Sequence, residues 1–159
     1  MRKISKHQKG FTLLELLVVI AIIGILTSIV LVSIGSSRNK GSDSRIKSQL
    51  SSLRTQVSLY MTVNGNIGQS NTTSCGVGTM PLGSIWASAS AEGLGVRKLI
   101  TDSIALSGKT ASFSRCTFTV TNNKWLVSVP LKTSGFWCVD YAGRSLQRTT
   151  LPAAGVVDC

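Results

Sequence analysis

Residues 11–34 of this 159-residue chain, FTLLELLVVIAIIGILTSIVLVSI, form an apolar run of 24 positions carrying a single charge, Glu15. As a helix rising 1.5 Å per residue, such a run is roughly 36 Å long, enough to cross a hydrocarbon core of about 30 Å with some tilt. The ten residues before it, MRKISKHQKG, hold Arg2, Lys3, Lys6 and Lys9 and no acid. Bases on that flank place the N-terminus in the cytoplasm and the remainder of the chain across the membrane. A secretory signal peptide, cut at a small-x-small site such as Ser33, Ile34 and Gly35, fits poorly, because the run exceeds the roughly 7 to 15 apolar residues of such a segment. An ordinary signal anchor leaves Glu15 unexplained. An acid costs on the order of 2.5 to 3.5 kcal/mol at the bilayer centre and less toward the end, and acids kept inside a span are functional by default.

Lys9, Gly10, Phe11, Thr12, Leu13, Leu14, Glu15, Leu16 and Leu17, followed by the rest of the run, resemble the prepilin signature shared by type IV pilins, type II secretion pseudopilins and competence pilins. The resemblance implies a prepilin peptidase that cuts after the glycine on the cytoplasmic side and methylates the new terminus. Cleavage then falls between Gly10 and Phe11, and Phe11 becomes the N-methylated residue. The apolar segment stays in the mature protein, a single-pass inner-membrane protein with an exported C-terminal domain that later enters an extracellular pilus or a periplasmic pseudopilus. The implied partners are the peptidase, other copies of the chain and minor pilins in a helical filament, an inner-membrane assembly platform, and lipid before assembly.

The residue types give this motif a physical logic. A glycine at the cut offers a small, flexible backbone to a peptidase at the membrane surface. The released α-amine stays mostly protonated at neutral pH. Glu15 stands about one helical turn away, placed to meet the amine of a neighbouring subunit and so to fix the axial register of a filament. For the membrane-stored monomer the alternative is that Glu15 pairs with its own amine or with a lipid headgroup.

Composition becomes informative once the run is set aside. The 17 bases and 6 acids give +11, yet only 14% of residues are charged and 43% are hydrophobic. Nucleic-acid binders usually reach high net charge by being rich in charge, whereas this chain is poor in acids. Without the leader 13 bases face 6 acids, leaving +7. Arg97, Lys98, Lys109, Arg115, Lys124, Lys132, Arg144 and Arg148 read first as solvated surface. DNA bound along a basic filament stripe, as competence pilins do, is the alternative. Trp86, Trp125, Trp137 and Tyr141 read as packing residues before stacking platforms, because Trp125 and Trp137 sit inside strand patterns. One His and six acids supply little for a metal centre or an acid–base pair, so no enzyme activity, cofactor or metal is expected.

Beyond a polar stretch at 35–42, Ile46, Leu50, Leu53, Val57 and Tyr60 recur at helical spacing, with Arg45, Lys47 and Arg54 off the stripe. One long helix is expected over about residues 12–61, stopped by Asn64 and Gly65. Gly24, Gly35 and Gly41 each weaken it by about 1 kcal/mol, marking candidate points of bending or melting. Many pilins carry a proline late in the apolar run, whereas the first proline here is Pro81. A second helix is expected near 94–106, with Val96, Leu99, Ile100 and Ile104 on one face. Strands follow at 116–121, 125–130 and 136–141, with a further candidate at 145–149 and turns at 122–124 and 132–135.

The expected fold is α+β: a long N-terminal helix, half hydrophobic and half amphipathic, packed on an antiparallel meander of three or four strands, which is the pilin ladle by resemblance. The divisions are a leader at 1–10, a membrane or filament-core helix at 11–34, its amphipathic continuation at 35–61, a connecting region at 62–110, and a sheet with a disulfide-closed tail at 111–159.

Cys75, Cys116, Cys138 and Cys159 in a small exported domain read as two disulfides with three connectivities open. Resemblance to pilins whose terminal loop is closed by a disulfide favours Cys138 with Cys159, leaving Cys75 with Cys116. Zinc binding is excluded by the absence of a C-x-x-C pair, and a cysteine nucleophile by the lone His7 lying in the leader. Many major pseudopilins carry a calcium site in the loop before the C-terminus, and here that region offers only Asp140 and Asp158.

Overall fold

The computed structural model describes residues 10–68, 71–75, 85 and 91–159. Most of the expected leader, residues 1–9, lies outside the described residues, as does Trp86. The chain forms two compact units, Met1–Arg38 and Asn39–Cys159. Helix α1, Leu13–Asn64, begins in the first and ends in the second.

In the first unit the apolar side chains find no core. Phe11 is 84% exposed, Leu13 85% and Ile25 65%. By length and composition α1 is able to cross a membrane, and none of its most apolar window is buried. The hydroxyls within the run are satisfied inside the helix, Thr27 donating to the Ile23 carbonyl at 2.6 Å and Ser28 to that of Ile25 at 2.7 Å. A helix facing lipid or other helices needs that internal pairing, because no water is there to replace it.

In the second unit the stripe meets its partners. Ile46, Leu50 and Leu53 are fully buried, and Val57 and Tyr60 nearly so. The helix runs three residues beyond the expected end. Gly65 then takes φ +77°, a conformation glycine adopts without strain, and its N–H donates to the Met61 carbonyl at 2.8 Å. Gly24, Gly35 and Gly41 all lie within the helical segment.

Among the described residues five antiparallel strands follow the order of the chain: β1 (Asn71–Thr73), β2 (Arg115–Thr119), β3 (Lys124–Pro130), β4 (Phe136–Asp140) and β5 (Ser145–Arg148). The expected meander is β2 to β4, and the further candidate is β5. Edge strand β1 is additional, and at three residues it is too short for a period-two pattern to register. Helix α2, Ala91–Ser107, precedes β2 and buries Val96, Ile100 and Ile104. The stretch expected as a connecting region also buries Ile67, Cys75 and Ile85.

Strand alternation sorts the sheet into two faces. Cys116, Phe118, Trp125, Val127, Val129 and Val139 join one core cluster with the α1 stripe and α2. On the other face Thr117, Leu126, Ser128, Cys138 and Asp140 are also buried. Cover there comes from the C-terminal tail, where Pro152 is buried, its carbonyl accepts from Arg115 Nε at 3.2 Å, and Cys159 is bonded to Cys138. In the turn between β3 and β4, Gly135 takes φ +74° and a Cβ there would lie 2.5 Å from the Arg148 carbonyl oxygen, so only glycine fits.

Candidate processing and assembly site

Gly10 and Phe11 precede the first helical residue and are exposed, so the Gly10–Phe11 bond lies outside α1. Thr12 begins the helix. Its hydroxyl accepts the Glu15 N–H at 3.2 Å, while Glu15 Oε2 accepts the Thr12 N–H at 2.9 Å and the Thr12 hydroxyl at 2.8 Å. This reciprocal arrangement is a capping box, which satisfies two of the N–H groups a helix start leaves unpaired. One oxygen of Glu15 is thereby engaged inside its own chain. The other, Oε1, accepts no hydrogen bond among the described residues. The Thr-x-x-Glu spacing is the signal from which Thr12 is readable as part of the site, beside Gly10, Phe11 and Glu15.

In the second unit, Asp43 is a further acid with a task, one that apolar periodicity did not mark. It is buried on α1 and accepts from the Lys132 N–H, from the Thr133 N–H at 3.3 Å and from the Thr133 hydroxyl. The turn between β3 and β4 is thus held to the helix by one carboxylate.

The four cysteines form Cys75–Cys116, with Cα atoms 5.0 Å apart, and Cys138–Cys159, with Cα atoms 5.8 Å apart. Asp140, fully buried beneath the tail, accepts from the Ala142 and Arg144 N–H groups at 3.0 Å each, from Arg144 Nε at 2.8 Å and from the Cys159 N–H at 2.9 Å. Arg144 also pairs with Asp158, and Arg148 donates to the Cys159 carbonyl. Burial pushes the Asp140 carboxyl upward, but the hydrogen bonds from Cys159 and Arg144 and the guanidinium charge outweigh it, holding the group below the usual carboxylate range.

The family model described as the prokaryotic N-terminal methylation motif matches residues 5–31, covering the Gly10–Phe11 junction, the capping box and most of the apolar run. This match supports a place in the type IV pilin and pseudopilin family. Type II secretion system core protein G of Dickeya chrysanthemi is similar, at 36% identity over 56 residues, covering 35% of this chain and 37% of that protein. The chain therefore matches little more than a third of the length of that curated relative. No solved structure matches the chain. The motif and the similarity to protein G support a pilin-like or pseudopilin role.

Among the other residues singled out, Trp125 is in the pilin-like core, where its ring is unavailable for stacking. Trp137 and Tyr141 lie at the core margin and each carries a lysine over its face, Lys47 at 4.7 Å and Lys124 at 5.1 Å from the ring centroids. Among the described residues no group of three or more His, Cys, Asp or Glu side chains is placed to hold a metal.

Proposed function

We propose that this chain is the structural subunit of a type IV pilus, cut between Gly10 and Phe11 by a prepilin peptidase, N-methylated at Phe11 and assembled through α1. The observation that carries this reading is the exposed Gly10–Phe11 junction set directly before a capped helix whose apolar surface is left uncovered among the described residues. Stored as a monomer, that surface meets lipid. In a filament it meets the helices of other copies and of minor pilins, delivered by an inner-membrane assembly platform.

Glu15 serves both states. Its Oε2 is committed to the Thr12 cap and its Oε1 is left to accept the protonated amine of an incoming neighbour. Two opposite charges in an apolar surrounding attract strongly only where their offsets match, so the pair selects one stagger.

A pseudopilin of a type II secretion system is the second reading, supported by the similarity to protein G. The filling of the Asp140 and Asp158 site by Arg144, where many pseudopilins bind calcium, supports the pilus instead. Expression beside a pilus system and beside a secretion system tests the choice. A pilus subunit enters the sheared surface fraction of the first, and recovery only from the periplasm of the second contradicts it.

A further inference from the structure

A cavity of about 390 Å³ opens in the exported unit between Lys40, Ser44 and Lys47 of α1, Thr133 of the β3–β4 turn and Gln147 of β5, with Asp43 in its wall. Lys40, Ser44 and Lys47 stand at i, i+4 and i+7, which is one face of a helix. Lys47 is steadied by Trp137, the cross-strand partner of Gln147. Neither lysine forms an ion pair among the described residues. Asp43 forms no ion pair with either lysine, its oxygens accepting instead from Lys132 and Thr133, so its charge offsets only one of the two. The result is a cup of net positive charge, with two ammonium groups and the Ser44 hydroxyl at its rim and one carboxylate turned to other donors.

We infer that this cup binds the phosphodiester of an anionic phospholipid headgroup while the subunit is stored in the membrane. The inference rests on the membrane-anchored reading above. Lys40 follows Ile34, the last residue of the apolar run, by six residues, a length of chain that reaches about 20 Å at most. A headgroup is therefore the anion to which the cup is tethered. A second copy of the chain is a poorer occupant, since among the acids whose side chains are described in that unit Asp43 is bonded to Lys132 and Thr133, and Asp102, Asp140 and Asp158 are paired with Lys98 and Arg144. Two lysines free of ion pairs beside the Ser44 hydroxyl suit a phosphate oxygen, and near an anionic leaflet each base adds to the attraction.

Native mass spectrometry of the full chain in detergent micelles doped with phosphatidylglycerol or phosphatidylcholine tests this. The wild type is expected to retain phosphatidylglycerol at least fivefold over phosphatidylcholine. Lys40→Ala with Lys47→Ala lowers that preference at least threefold, Lys40→Arg with Lys47→Arg restores it, and Lys109→Ala with Lys124→Ala leaves it unchanged. Near-UV circular dichroism confirms that the variants are folded. Absence of a preference, or equal losses in the two alanine pairs, overturns the proposal. Displacement of the lipid by millimolar inorganic phosphate also overturns it, by showing a site for the free anion. A chain that stays dispersed without detergent overturns the anchoring reading, and the proposal with it.

Discussion

The Glu15 carboxylate closes a capping box on Thr12, accepting both its N–H and its hydroxyl. The acid that the sequence marks as costly in a membrane therefore has a local task before any neighbour arrives. Substitutions separate the two tasks. Thr12→Val removes the cap and is expected to cost about 1 kcal/mol of local helix stability while still allowing assembly. Glu15→Ala is expected to leave membrane insertion intact and to abolish filaments. Fractionation and electron microscopy of sheared surface material check both, and normal filaments from Glu15→Ala contradict the register argument.

The Asp43 network bears on the stability of the second unit. Asp43→Ala strands two N–H groups of the β3–β4 turn, and hydrogen bonds to charged groups are worth about 1.5 to 3 kcal/mol each. A loss of at least 2 kcal/mol in urea unfolding of the Asn39–Cys159 unit is expected. Thr133→Val, which removes only the hydroxyl, is expected to cost about 1 kcal/mol. Combined with Asp43→Ala it should add little, because both act on one bond network.

The disulfides close segments with sequence separations of 41 and 21 residues. Loop-closure entropy gives about 4 kcal/mol for Cys75–Cys116 and about 3 kcal/mol for Cys138–Cys159. Paired Cys→Ser variants are therefore expected to melt well below wild type, the first pair lower than the second. Loss of Cys138–Cys159 should also speed hydrogen exchange in β4, which the tail covers. Thiol counting on the unfolded, unreduced wild type should find none free.

The carboxyl of Asp140 titrates lower in the folded protein than in the unfolded chain, so folding favours its charged form. That contribution is complete above the unfolded value, near 4, and is lost as pH falls through the lower folded value. The melting temperature of the Asn39–Cys159 unit is expected to drop as pH falls below about 4, and Asp140→Asn should flatten that drop while lowering stability at neutral pH. Parallel acid profiles for the two proteins would contradict the assignment.

Elements with long periods were legible in the sequence. The stripe from Ile46 to Tyr60 reads as helix because five apolar residues share one face, and each of them is buried. Strands β2, β3 and β4 read from β-branched and aromatic runs between turn residues, and Gly65 read as a stop. Strand β1 was not legible, since three residues carry no period and its place depends on pairing with β2 and on the Cys75–Cys116 link. The burial of the second sheet face was hidden for a related reason. Its cover is an irregular tail held by Cys159, Arg115 and Asp140 rather than by a repeating pattern. At the proposed processing and assembly site Gly10, Phe11 and Glu15 stood out by charge and position. Thr12 needed the capping spacing, and Asp43 needed the turn it binds, 89 residues away in the chain.

The most direct test of the whole account is intact and peptide mass spectrometry of the mature protein from cells that contain a prepilin peptidase. The account predicts an N-terminus at Phe11 carrying one methyl group, with residues 1–10 absent. An intact leader, or a cut on the far side of the apolar run, would contradict it.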